Sequence, residues 1–320
     1  MFPAAVTAVS TIFVLLLLGV LMAHLGWVGE RERTLLSRLV VNVAVPATVI
    51  QNMLGNFTWE SLVAALPGLA VPVLAMLFCY PVAAVVAKVF KLPQNRRGVF
   101  GVMIAFSNGI FIGLPITQAI LGDVAVPFAL LYYVSNTILF WTIGVRGIMR
   151  DGGIAPPLFS RQTVRSLASP ALITFALVIV LMALRVQLPV FLMKSADYVA
   201  GMVTPVSSIF IGVVLYDVFR KGIHFDRSIA LACVGRFILS PAVCLGLCLL
   251  LGPVLGLPGM MKQTFLLLFL MPVMSQCPII ADRYGGDAGF AAVGASLTTA
   301  MTLVIVPIAM VLSEPLEWLL

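Results

Sequence analysis

The chain alternates ten long apolar runs with short polar connections, and this alternation limits what it can fold into. The runs cover approximately residues 4–26, 35–54, 62–87, 98–121, 125–149, 168–186, 195–216, 228–252, 263–282 and 288–312. Each is close to the roughly 20 apolar residues that a helix needs to cross a bilayer core of about 30 Å. Over the whole chain 62% of residues are hydrophobic and 10% are charged. Soluble domains carry about a quarter charged residues. So few charges cannot cover the surface of a water-soluble protein of 320 residues. The expected fold class is an all-α membrane protein with ten transmembrane helices.

The net charge of +7 would suggest nucleic acid in a soluble protein. Here the positions of the basic residues say otherwise. Arg31, Arg33, Arg38, Lys88, Lys91, Arg96, Arg97, Arg146, Arg150, Arg161, Arg165, Arg220, Lys221, Arg227 and Arg283 fall in one set of alternate connections. The other set holds Arg185, Lys194 and Lys262, so the split is fifteen against three. Basic residues concentrate on the cytoplasmic side of membrane proteins. They therefore read as topology signals, not as a nucleic-acid surface. They put both termini outside the cytoplasm of a multi-pass protein in the plasma membrane. The first run lacks a basic segment before it and is followed by Arg31 and Arg33, which predicts a retained span and not a cleaved leader.

The link 150–167 contains Asp151-Gly152-Gly153 and Pro156-Pro157 and divides the chain into residues 1–149 and 168–320, with five runs each. Five is odd, so the second half enters the membrane with the opposite orientation, as in transporters built from inverted repeats. Pro115-Ile116 and Pro278-Ile279 each lead to a glycine seven residues after the proline (Gly122, Gly285) and then to Asp123 or Asp287. Pro46 with Ile50 resembles Pro205 with Ile209.

The polar residues inside the runs are few. The fourth run contains Ser107-Asn108-Gly109-Ile110-Phe111-Ile112-Gly113-Leu114-Pro115. Asn108 lies eleven residues beyond Arg97, about 16 Å along a helix, which is near the midplane. The ninth run contains Pro272-Val273-Met274-Ser275-Gln276-Cys277-Pro278. Proline has no backbone N–H and suits the first turn of a helix. Pro115 and Pro278 are thus expected to open two half-helices whose free N–H groups and positive dipole ends face the interior. Such a seat attracts an anion, with hydrogen bonds from Asn108, Ser275 and Gln276. Gly109-x-x-x-Gly113 also fits a helix-packing motif.

Arg236 is the one basic residue deep within a run. It is expected either to meet a carboxylate or to pair with a helix C-terminus or carbonyl. Asn136 in the fifth run reads as a site residue, Thr298 and Thr299 in the tenth as helix glue, and Gln51 and Asn52 as interfacial. Asp217, Asp282 and Asp287 fall near run ends, which gives no buried carboxylate for proton coupling. The five cysteines and two histidines form no metal-binding spacing, so neither a metal nor a cofactor is expected.

The Asn-Gly-x-x-x-Gly-x-Pro of residues 108–115, Gly122-Asp123, and Asn136 with Phe140-Trp141-Thr142-Ile143-Gly144 resemble the auxin efflux carrier family. So do Pro46, Met271-Pro272, Pro278, Tyr284-Gly285-Gly286-Asp287 and Pro307. The resemblance implies a bile-acid-symporter-like fold, with spans 1, 2, 6 and 7 as a panel and spans 3–5 and 8–10 as a core. Spans 4 and 9 would be broken and would cross at Pro115 and Pro278. It implies secondary transport of a small carboxylate, such as malonate or malate, by a bacterial-type inner-membrane carrier. The substrate site would comprise Asn108, Gly109, Gly113, Pro115, Asn136, Arg236, Ser275, Gln276, Cys277 and Pro278. The partners are that carboxylate and the lipid bilayer, and a homodimer stays open. The acidic sodium-site pattern of bile-acid relatives does not stand in span 9.

Two other readings use the same residues or neighbours. An anion channel would share the site. An intramembrane aspartyl protease would need Asp217 of Tyr216-Asp217 and Asp287 of Gly285-Gly286-Asp287 to share a proton.

Overall fold

The structure, a computed structural model, is described for residues 2–154, 170–221 and 226–313. Most of the link 150–167, with Arg161 and Arg165, lies outside them. Among the described residues the protein is all helix, with no strand and a single isolated β-bridge.

In chain order the helices are α1 (Phe2–His24), α2 (30–56), α3 (59–89), α4 (Arg97–Ala105), α5 (109–121) and α6 (123–151). They continue with α7 (Pro170–Ala183), α8 (Val190–Ala200), α9 (Val203–Lys221) and α10 (227–255). The last are α11 (Gly259–Phe269), α12 (Cys277–Tyr284) and α13 (Ala288–Ser313). Six helical stretches are long and apolar enough to cross a membrane: 30–55, 59–89, 123–151, 190–217 (with a turn at 201–202), 227–255 and 288–309. Phe13–His24, Gly109–Leu121 and Pro170–Ala183 are shorter apolar helices. The protein is therefore a multi-pass helical membrane protein.

Proline is frequent inside these helices, and the backbone absorbs it in a repeated way. A π-turn covers Val40–Ala44 before Pro46, Gly109–Gly113 before Pro115, and Gly235–Leu239 before Pro241. A proline cannot donate to the carbonyl four residues back and its ring crowds that carbonyl. One widened turn relieves both problems without ending the helix.

This explains a difference from expectation at Pro115. The fourth run is interrupted, but its second half opens at Gly109 and not at Pro115, which sits inside a helix that continues from Gly109 to Leu121. In the ninth run the proline behaves as expected. Helix α12 starts at Cys277 with Pro278 as its second residue.

Helix α1 lies along α9, and the approach is close because Gly19 faces the Ile209 carbonyl and Gly212 faces the Leu16 carbonyl. A Cβ at either position would overlap the facing backbone. Helix α2 packs against α7 and α8, whereas α3 packs against α4 and α10. Helix α4 also packs against α6. The main neighbours of α5 are α1, α9, α6 and α11, while those of α12 are α4, α6 and α13. At one end of the molecule Asp151 is buried and accepts the Gly98 and Val99 N–H groups (2.8 and 2.9 Å), capping α4. The sequence had placed Asp151 in the link, but α6 runs on to include it.

Asn52 also differs from expectation. It is 2% exposed and bonds the Thr48 carbonyl within α2, so it is buried and not interfacial.

Candidate functional site

The two interruptions lie side by side in the interior. Ser107, between α4 and α5, forms an antiparallel bridge with Val273, between α11 and α12. Asn108 N–H donates to the Pro272 carbonyl at 2.8 Å. Extended backbone in an apolar interior is costly unless each polar group has a partner.

Here the partners come from neighbouring helices. Asn136 on α6 acts as a short substitute strand. Its Nδ2 donates to the Ser107 carbonyl (3.0 Å) and its Oδ1 accepts from the Ser107 N–H (3.2 Å). Ser107 Oγ meets Tyr132 Oη at 2.8 Å. On the other interruption, Thr298 Oγ1 on α13 accepts the Val273 N–H at 3.1 Å and donates to the Gly294 carbonyl at 2.7 Å. Asn136 and Thr298 are both fully buried.

Four half-helix ends meet around this crossing. The N-terminus of α5 is capped by Asn108, whose Oδ1 accepts the Phe111 N–H at 3.2 Å. Helix α12 begins at Cys277, directly after Gln276. The C-terminal ends of α4 and α11 face Arg236, which is fully buried. Its NH1 donates to the Ile104 carbonyl (2.8 Å), its NH2 to Phe269 (2.8 Å) and its Nε to Met271 (2.9 Å).

A pocket with about 400 Å³ of empty space, part of it open to the outside, lies against the two N-terminal ends. Of the ten residues expected at a site, it brings together Asn108, Gly109, Asn136, Ser275 and Gln276. Gly113, Pro115, Arg236, Cys277 and Pro278 are not in its lining. A Cβ on Gly113 would come within 2.6 Å of Leu268 Cδ2, so this glycine serves the packing of α5 against α11. Gly109 has only the Tyr132 ring nearby, at 3.6 Å, and leaves its backbone open to the pocket.

The remaining lining is Val41, Val45, Ile110, Phe111, Tyr133 and Met274. None of these stands out in the sequence. In helices that are apolar on every side, periodicity does not show which apolar face meets a cavity. Gln276 Oε1 is buried and has no hydrogen-bond partner, which is unusual for a buried acceptor. No charged side chain lines the pocket. Any attraction for an anion must come from helix ends and amides.

The aspartate pair needed for a protease is taken up elsewhere. Asp217 pairs with Arg33 at 2.9 Å, and Asp287 pairs with Arg96 at 2.6 Å while capping α13 through the Phe290 N–H. The two carboxylates pair with different arginines, Arg96 being shared between Asp287 and Asp226, and do not form a dyad. All five cysteines are buried and free, and among the described residues there is no cluster of metal-binding side chains.

Comparison with known proteins identifies the family. The sequence pattern of the family described as membrane transport protein matches residues 4–156 and 158–310. The chain belongs to the membrane transport protein family. As a membrane transport protein it is similar over nearly its full length to archaeal relatives. An "uncharacterized transporter" of Methanothermobacter thermautotrophicus is 25% identical over 315 residues, covering 96% of this chain and 98% of the relative. Another, from Methanocaldococcus jannaschii, is 25% identical over 309 residues, covering 93% and 95%. The family and the relatives' names indicate transport, not catalysis.

Proposed function

We propose that this protein is a secondary transporter of small organic anions, mono- or dicarboxylates such as malonate or malate, working by alternating access. The observation that carries the reading is the juxtaposition of two interrupted helices whose N-terminal ends border one uncharged pocket of mixed polar and apolar lining. Unpaired N–H groups and the dipole at a helix N-terminus favour negative charge. Asn108 and Gln276 add amide groups at the same place. A site of this kind binds an anion firmly enough to select it and weakly enough to release it.

The reading also organises the packing. The proposed panel is α1, α2, α7 and α8–α9, and the proposed core is α3–α6 with α10–α13. Val41 and Val45 would then be the panel's contribution to the pocket, and the other lining residues the core's. The two halves, 1–149 and 168–320, are proposed as inverted repeats. The matched roles of Asn136 and Thr298, each bonding the interruption of the preceding span, support this.

The two half-helices differ in their surroundings. Helix α5 packs against α1 and α9 of the panel, with Phe111 stacked on Phe210 at 4.9 Å. The principal contacts of α12 stay within the core. With the basic connections placed in the cytoplasm, this is a state closed outside and open inside. Rocking of the core would exchange the two arrangements.

Counterflow of radiolabelled malonate, malate and lactate in proteoliposomes tests the proposal. It predicts saturable uptake that is accelerated by unlabelled substrate on the far side. It also predicts that Asn108→Ala reduces uptake at least tenfold while the protein still purifies as a folded species. Flux that does not saturate and shows no counterflow would indicate a channel.

A further inference from the structure

Arg236 is the only basic side chain fully buried among the described residues, and it does not line the pocket. A buried guanidinium is costly and must have a compensating partner. The Tyr132 hydroxyl lies beside it, and its close hydrogen bonds go to the backbone. All three nitrogen types donate to backbone carbonyls, and those carbonyls are the C-terminal ends of the two half-helices that lead into the crossing. The local chain is built for this contact. Gly235 lets α10 approach Ile104, whose side chain would lie 2.5 Å from any added Cβ. The π-turn Gly235–Leu239 carries Arg236 inward, and Ser240 Oγ adds a second bond to the Ile104 carbonyl at 2.6 Å.

The charges balance in a simple way. Each helix C-terminus carries about half a negative charge and each N-terminus about half a positive charge. Two C-terminal ends at the crossing are offset by one guanidinium. No carboxylate lines the pocket, so the partial positive charge of the two N-terminal ends, softened at α5 by the Asn108 amide cap, is not cancelled by a formal charge.

We infer that Arg236 is a positioning residue. It holds the two crossing backbones as one unit and cancels their negative ends, so that the pocket keeps a net attraction for an anion Arg236 never touches. This rests on the anion-carrier reading and deepens it. The guanidinium acts through Ile104, Phe269 and Met271, and through the Tyr132–Ser107–Asn136 chain beside them.

The test compares wild type, R236K and R236Q, reconstituted as full chains, in uptake of lactate and malonate. Melting of the same purified proteins in detergent is measured in parallel. R236Q is expected to raise KM at least tenfold with a smaller change in maximal rate. R236K keeps the charge and several donors and is expected to stay within about threefold of wild type. An unchanged KM in R236Q, or an R236K no better than R236Q, overturns the inference. Should R236Q not fold, R236K decides alone: KM within threefold supports the inference and a tenfold rise refutes it. If wild type takes up neither acid, it is the carrier reading that fails. The melting series still judges the clamp, with R236Q below R236K supporting it and equal midpoints for all three proteins overturning it.

Discussion

At the scale of single residues, the interior holds polar groups of two kinds. Asn136, Thr298 and Arg236 spend their hydrogen bonds on backbone exposed by the helix interruptions. Asn108 and Gln276 border the cavity, as Asn136 also does; Asn108 caps α5 as well, and Gln276 Oε1 has no partner. The distinction has energetic consequences. Truncating Asn136 leaves the buried Ser107 N–H without a partner and its carbonyl with the Gly109 N–H alone, at a cost of roughly 1–3 kcal/mol for the unsatisfied group. Asn136→Ala is therefore expected to lower stability by about 1–3 kcal/mol in denaturant unfolding of the purified protein. Gln276→Ala removes an unpaired acceptor and is expected to change stability by less than about 1 kcal/mol. Equal losses for the two variants would contradict the division. Sequence reasoning found all of these residues because polar side chains stand out in apolar runs. It could not sort them, since which carbonyl Arg236 reaches depends on a π-turn and on the close approach at Gly235.

At the scale of elements, the apolar runs were legible because bilayer thickness sets their length. The interruptions were legible in the ninth run and displaced in the fourth. Pro278 opens α12 at the expected place, but Pro115 is absorbed by the π-turn that begins at Gly109, and the true opening is the Asn108 cap. A capping side chain makes a stronger helix start than a proline that a widened turn can accommodate. The contrast between α5 and α12 leads to a prediction. Residues 114–117 of α5 are buried, whereas Ile279, Asp282 and Arg283 form one exposed face of α12. In the proposed inward-open state that face borders a cytoplasmic water-filled cleft. A membrane-impermeant maleimide should label Ile279→Cys from the cytoplasmic side, with little background because the native cysteines are buried. It should label Ile116→Cys slowly or not at all. Labelling Ile279→Cys only from the outside would contradict the proposed orientation.

At the scale of the whole molecule, the family assignment and the multi-pass helical fold agree with what the apolar runs imply. The pocket was only partly legible, because it is made where two distant segments cross and where α2 approaches them. The central claim is that helix N-termini and amides, without a formal charge, seat an anion there. The most direct measurement is equilibrium binding of radiolabelled malonate and lactate to purified protein with Asn108 as wild type, Ser or Asp. Both replacements can cap α5, so the helix start is preserved, but aspartate brings a negative charge to the pocket wall. The account predicts that N108S binds within about tenfold of wild type and that N108D loses binding of both acids while its melting temperature is maintained. Wild-type affinity in N108D would contradict the account.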